Sequence, residues 1–546
     1  MWMGVAAAAA AACAGENPAL TAALSTITAD ELRHEVQVLS ADSMEGRLPS
    51  TIGEERTITY LHEQFDALGL RPGNGDSYFQ QVPLVSITAD TTMTLTVRGG
   101  GETSRFSYST EFMGWTKRVR ERVSVRDADM VFVGYGIVAP EYEWNDYEGM
   151  DVAGKTVVML VNDPGFATQD TTLFTGNAMT YYGRWTYKYE EAARQGAAAA
   201  IIVHETAPAG YGWNVVAGSW SGPQFDLVRA DDNMSRVAVE GWLTLESAQA
   251  LFQQAGLDYA DLKAQAATRE FEPVPMGLTA SVTVRNRLER STSNNVLAVL
   301  PGGERADEYV VYMAHWDHLG RDPTLQGDQI FNGALDNATG IGGMLEIAEA
   351  FQSLETPPAR SILFLAVTAE EQGLLGSAFY AQNPVYPLEQ TVAAINMDGL
   401  NILGRMNDVT VVGLGQSELD RYLEAAADAQ GRWLRPDPEP EKGFYFRSDH
   451  FNFAKVGVPA LYADAGIDHV EHGEQWTRER RDEYTAERYH SPADEYNDSW
   501  DLTGAVDDLQ LMFRVGYRLA SERTFPSWSA GSPFKAARDS MMGGAQ

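Results

Sequence analysis

From Asn294 onward the chain alternates short apolar runs with helical segments, and that alternation constrains the fold more than any other feature. The runs are Val296–Leu300, Val310–Ala314, Ser361–Val367, Val392–Ile395, Val409–Val412 and Pro459–Tyr462, none with a regular polar face. A strand without a polar face must be covered on both sides. The pattern therefore predicts an α/β fold, a mixed and mainly parallel sheet sandwiched by helices. Gly340–Leu354 is the clearest of those helices, with Ile341, Leu345, Ala348 and Phe351 recurring on one face.

Three of these runs lead into side chains that can hold a metal ion. Val310–Ala314 is followed by His315-Trp316-Asp317-His318, Ser361–Val367 by Glu370-Glu371, and Val392–Ile395 by Asp398. Open α/β sheets build their sites beyond the carboxyl ends of strands, so residues distant in sequence can converge there. The loop from Asn332 to Gly340 places Asp336 just before the long helix, and Arg488-Tyr489-His490-Ser491-Pro492-Ala493-Asp494 supplies another histidine. Singly, each has an ordinary explanation: a surface turn, a helix N-cap at Asp336-Asn337, acidic residues opening a helix at Glu370-Glu371. Such explanations do not account for the whole series at successive strand ends. One cysteine in 546 residues excludes an intramolecular disulfide framework and any Cys-rich zinc site, leaving His, Asp and Glu as metal ligands. The net charge of −35 argues against a nucleic acid or an anionic membrane surface as the main partner.

The remaining sequence divides by pattern. Residues 1–20 read as a signal peptide or lipoprotein signal: Val5–Ala12 is too short to span a bilayer, and Ala11-Ala12-Cys13-Ala14 resembles a lipoprotein processing site, although no Lys or Arg precedes it. An exported protein is expected, periplasmic, secreted, or anchored to the outer membrane through lipid on Cys13. Residues 28–126 form the first part of the main domain, helical to about Leu70 and strand-like after Tyr78. Residues 127–275 read as an inserted small α/β lobe, residues 276–525 as the main domain, and residues 526–546, rich in Ser, Gly and Ala, as a disordered tail.

Taken together, His315-x-Asp317, Asp336-Asn337, Glu370-Glu371, Asp398 and His490 resemble the dizinc exopeptidases of metallopeptidase family twenty-eight. Asp42-Ser43-Met44-Glu45-Gly46-Arg47 is similar to that family's N-terminal segment. Gly134-Tyr135-Gly136 with Asp151-Val152-Ala153-Gly154-Lys155 is similar to its inserted protease-associated domain. The resemblance implies the zinc exopeptidase fold and two Zn2+ ions bridged by Asp336, one also held by Glu371 and His490, the other by His315 and Asp398. It implies Glu370 as general base, Asp317 as hydrogen-bond partner of the His315 ring, and Tyr489 as donor to the oxyanion. The expected activity is hydrolysis of terminal peptide bonds in peptide substrates, as an aminopeptidase. A carboxypeptidase or dipeptidase would need a cation such as Arg447 or Arg184 to hold a free carboxylate. Glutaminyl cyclases and non-catalytic transferrin receptors of the same family are the remaining alternatives. Arg447-Ser448-Asp449-His450 with Phe453 resembles a pocket-lining segment, and Asp468-His469-Val470-Glu471-His472 is read as a polar loop rather than a further metal site.

Overall fold

The computed structural model describes residues 18–543, so Cys13 and residues 1–17 of the proposed leader lie outside the described residues, whereas residues 18–20 open the helix Pro18–Leu24, with Leu20 packed against the main core. From one edge, the larger sheet runs Pro223–Leu227, Phe79–Ala89, the second half of Val274–Leu300, Arg360–Val367, Arg305–His315, Thr391–Asn396, Ala460–Ala465, Asp408–Val412 and Trp433–Pro436. The four strands from Arg360–Val367 to Ala460–Ala465 are mutually parallel, with antiparallel pairs on both flanks. Arg360–Val367 and Thr391–Asn396 are buried at every position, as the apolar runs within them, Ile362–Val367 and Val392–Ile395, predict. Alternate residues serve opposite layers. Val310, Tyr312 and Ala314 pack with the helices Ala29–Leu39, Thr339–Gln352 and Thr503–Ser521, while Val311 and Met313 pack with Tyr380 and Phe453.

A smaller sheet covers one end of the molecule. Its order is Glu102–Ser107, Thr94–Gly99, the first half of Val274–Leu300, Arg122–Phe132, Thr156–Leu160, Ala199–Val203, Val239–Leu243 and Phe112–Trp115. The boundary expected at residue 127 is therefore too late. The strands from Thr94 to Trp115 belong to this lobe, because Leu95, Val97 and Phe106 share a core with Val282 and Val284. Pro223–Leu227 leaves the lobe again to extend the larger sheet beside Phe79–Ala89. The 27-residue strand Val274–Leu300 runs through both sheets. Residues 245–266 form two helices, Leu245–Gln254 and Tyr259–Ala266, separated at Gly256, the second capped by Asp258.

The disordered tail is also corrected. Trp528 and Phe534 are 2% and 4% exposed, Trp528 Nε1 donates to the Gly457 carbonyl at 2.8 Å, and Lys535–Gly543 is a helix. Arg538 anchors that helix on the Leu388 and Thr391 carbonyls. A tail judged by its average composition conceals three such anchoring side chains.

Candidate metal centre

Strand register brings the site together. In the parallel centre His315 lies beside Val367, and Met313 beside Asn396, so all three strands end at one rim. Asp336 reaches that rim from its loop because Asp494 holds its backbone: the Asp494 carboxylate accepts from the N–H groups of Leu335 and Asp336, each at 3.1 Å. Asn337 fixes the other side, its Oδ1 accepting from Gly340 and Gly399 N–H and its Nδ2 donating to the Met397 carbonyl. A Cβ on Gly340 would lie 2.2 Å from Asn337 Oδ1, so only glycine lets the helix start this close to the loop. Asn337 opens an Asn-x-Thr triplet with Thr339, but at 1% exposed it is buried in this site rather than a glycosylation acceptor.

The Asp336 carboxylate faces two groups of donors, one oxygen to each. Its Oδ1 lies 3.2 Å from His315 Nε2, which is also 3.2 Å from Asp398 Oδ1. Its Oδ2 lies 3.2 Å from His490 Nε2, which is 3.0 Å from Glu371 Oε2. Ligands about 2.0 Å from a tetrahedral ion are separated by about 3.3 Å, so both donor sets have the spacing a zinc ion requires. The structure thus brings together all five ligands expected from the sequence, in the two groups expected. The donor set of two imidazoles and three carboxylates suits zinc without any cysteine.

The groups polarise one another strongly. Burial opposes charge on His490, yet Glu371 and Asp336 raise its pKa to about 10. His315 is likewise raised, with Glu370 and Asp398 outweighing its desolvation. Desolvation works against the Asp336 carboxylate, but hydrogen bonds from His315 and His490 hold it well below the ordinary range. Glu370 behaves differently: burial, reinforced by Asp398 and Glu371, raises it well above an ordinary glutamate while His315 pulls the other way. Two neighbouring carboxyls pushed in opposite directions are a pattern found at acid–base sites.

The expected contact of Asp317 is corrected. His315 Nδ1 lies 3.2 Å from the Asp317 backbone carbonyl and 3.9 Å from its carboxylate. The carboxylate instead accepts from the Glu370 N–H at 3.0 Å, because the loop turns the side chain toward the strand end that carries Glu370. His318, given no role from the sequence, has its Nδ1 2.5 Å from Glu371 Oε1 and is wholly buried. Its position in His315-x-Asp317-His318 was visible; its partner, 53 residues away, was not.

A cavity of about 370 Å³ opens on this rim, lined among others by Glu370, Glu371, Tyr489, His490, Arg184 and Arg447. The Tyr489 ring stacks on His490 with centroids 3.8 Å apart, and desolvation with the Asp336 and Glu371 charges keeps its phenol protonated. Beside the cavity, Asp449 accepts from Ser377 Oγ at 2.5 Å, whereas His450 is buried between Tyr445 and Tyr462, its pKa lowered to about 3 by burial. His469 Nδ1 accepts from the Glu471 and His472 N–H groups, which makes 468–472 a self-bonded turn.

Residues 295–514 match the sequence profile described as Peptidase family M28. Over this stretch the sequence is similar to the family M28 peptidases. Over 136 residues the chain is 38% identical to a Mus musculus protein named Aminopeptidase NAALADL1, covering 23% of this chain and 17% of that one. Over 104 residues it is 38% identical to a protein of Pyrenophora teres f. teres named "Probable zinc metalloprotease", covering 19% and 22%. The chain therefore spans only about a fifth of the length of these curated relatives. The solved aminopeptidase from Aneurinibacillus sp. strain AM-1 shares this fold over nearly its whole length. The TM-score is 0.51 at 21% identity, covering 93% of this chain and 97% of that one.

Proposed function

We propose that the chain is a zinc-dependent exopeptidase with two ions in the Asp336-bridged site, acting on the free amino end of peptides. The observation that carries this reading is the Asp336 carboxylate, which turns one oxygen to each histidine–carboxylate group. Bound there, two zinc ions would supply Lewis-acid polarisation of a scissile carbonyl and of water. Glu370 accepts a proton from the attacking water and delivers it to the leaving amine, a role its raised pKa favours. Asp317 holds the backbone of Glu370, and the Tyr489 hydroxyl donates to the developing oxyanion. Two complete ligand groups support hydrolysis over cyclisation and over a receptor that has lost its metal. The smaller lobe, which we read as a protease-associated domain, narrows the approach to the site, since Arg184 comes from it and Arg447 from the main domain.

Those two arginines also support a second reading, carboxypeptidase or dipeptidase action. Among the described residues neither guanidinium makes a hydrogen bond or an ion pair; burial lowers the pKa of both, and the Arg447 charge lowers that of Arg184 further. Two unpaired guanidinium groups beside the rim suit a substrate carboxylate. The deciding experiment follows one unstructured peptide by mass spectrometry in free, N-acetylated and C-amidated forms, with and without a chelator. Protection by acetylation alone establishes the aminopeptidase. Protection by amidation alone replaces it with the second reading, and hydrolysis unaffected by the chelator refutes both.

A further inference from the structure

The segment Asp42–Arg47 takes no part in the donor set, yet it is built into the site. It enters between the two loops that carry the ligands: a Cβ on Gly46, at φ +66°, would lie 2.2 Å from the Gly320 carbonyl oxygen and 2.7 Å from that of Phe331. Arg47 follows, 1% exposed, and its guanidinium donates to four backbone carbonyls. Nε bonds Trp316 at 2.9 Å, Nη1 bonds Leu39 at 2.7 Å and Asn332 at 2.6 Å, and Nη2 bonds Gly333 at 2.8 Å. Trp316 sits between His315 and Asp317; Asn332 and Gly333 open the loop to Asp336. The Arg47 carbonyl in turn accepts from the His318 N–H at 3.3 Å, and Asn332 Nδ2 donates back to Ser40 and Asp42.

Among the described residues no carboxylate pairs with this guanidinium. Burial lowers its pKa to about 10, and the charges of Asp494, Asp336, Asp317 and Glu371 act in the opposite direction from further away. It is therefore a fixed cation at neutral pH, spending its donors on the backbone of the loops rather than neutralising a ligand. A planar fork with five N–H donors is the side chain that can hold four carbonyls in fixed relative positions.

We propose that Arg47 is a positioning residue of the metal centre, tying the loop behind His315 to the loop before Asp336 and thereby setting how tightly the two donor groups hold their ions. The proposal rests on the metallopeptidase reading above. Partners that orient metal ligands without touching the ion commonly contribute 10- to 100-fold in affinity. A lysine keeps the charge but offers three donors from a single point, too few for four carbonyls.

The test is zinc affinity of the full chain, measured by competition with a chromophoric chelator and so independent of turnover. Arg47→Lys is compared with Arg360→Lys. Arg360 is equally buried, bonds the Leu519, Arg523 and Thr524 carbonyls, and lies at the opposite end of its strand from the rim. Arg47→Lys is expected to weaken zinc binding about 10- to 100-fold, with Arg360→Lys within about twofold of the unaltered protein. Unchanged affinity in Arg47→Lys, or an equal loss in Arg360→Lys, overturns the proposal. Should Arg47→Lys fail to fold, Asn332→Ala loosens the same clamp from the other side. It is expected to weaken zinc at least about fivefold, and wild-type affinity there is equally fatal. An unaltered protein that takes up no zinc is a separate result: it overturns the metallopeptidase reading itself.

Discussion

Asp494 offers the sharpest test of how the bridging carboxylate is held. It is 1% exposed, and its two oxygens accept from Leu335 N–H, Asp336 N–H and the Tyr484 hydroxyl, the last at 3.2 Å. Replacement by alanine leaves two buried backbone donors without a partner. At about 1–3 kcal/mol for each such group, Asp494→Ala should cost about 2–6 kcal/mol of stability. Asp494→Asn keeps one acceptor and turns an NH2 group toward the other donor, leaving one N–H unmatched at about 1–3 kcal/mol. Because burial and the Asp336 charge already disfavour the Asp494 carboxylate, its neutralisation returns part of that cost and keeps asparagine the milder change. Urea unfolding of chelator-treated protein, followed by circular dichroism, measures both variants. Alanine should fall below asparagine, and asparagine below the unaltered chain. Two variants within about 0.5 kcal/mol of wild type, or asparagine the worse of the two, would show that the loop is held by something other than these bonds.

The chemistry makes further expectations. Glu370→Gln should retain bound zinc while kcat falls by at least about 10²–10⁴, and near-normal turnover would remove Glu370 from the base role. Tyr489→Phe should lower kcat by about 10²–10³ with little change in KM, since an oxyanion donor acts in the transition state; a change in KM alone would make Tyr489 a binding group. Metal uptake should release protons near neutral pH, because the metal-free His490 titrates at about 10 and His315 is also raised. Zinc affinity should therefore climb with pH toward 10, and calorimetry in buffers of different ionisation enthalpy that detects no proton release would contradict the pairing. In the metal-free protein the His490 pairing stabilises the fold fully below its ordinary pKa. That contribution is lost as pH rises through about 10.

The five candidate ligands were legible because each is chemically distinctive and three of them follow strands recognisable from their own residues, with Asp336 and His490 on polar loops. What escaped the sequence depends on contacts made across long separations. Arg47 is an ordinary cation until its guanidinium meets Trp316, 269 residues away, and Asp494 an ordinary loop acid until it meets the Asp336 backbone, 158 residues away. Asp317 was placed correctly but given the wrong partner, since a short loop can aim a side chain at either neighbour. The lobe boundary failed for a related reason. Alternation in Thr94–Gly99 identifies a strand without saying which of two sheets receives it.

The strand Val274–Leu300 has a mechanical consequence. Because one uninterrupted stretch of backbone is hydrogen-bonded into both sheets, a swing of the small lobe would have to bend a strand clamped on either side of the pivot. The two halves are spliced on a common spar rather than hinged on a linker. Access to the rim is thus governed by side chains at the seam, such as the Lys455–Glu190 pair at 2.8 Å, and heating should melt both halves in a single step.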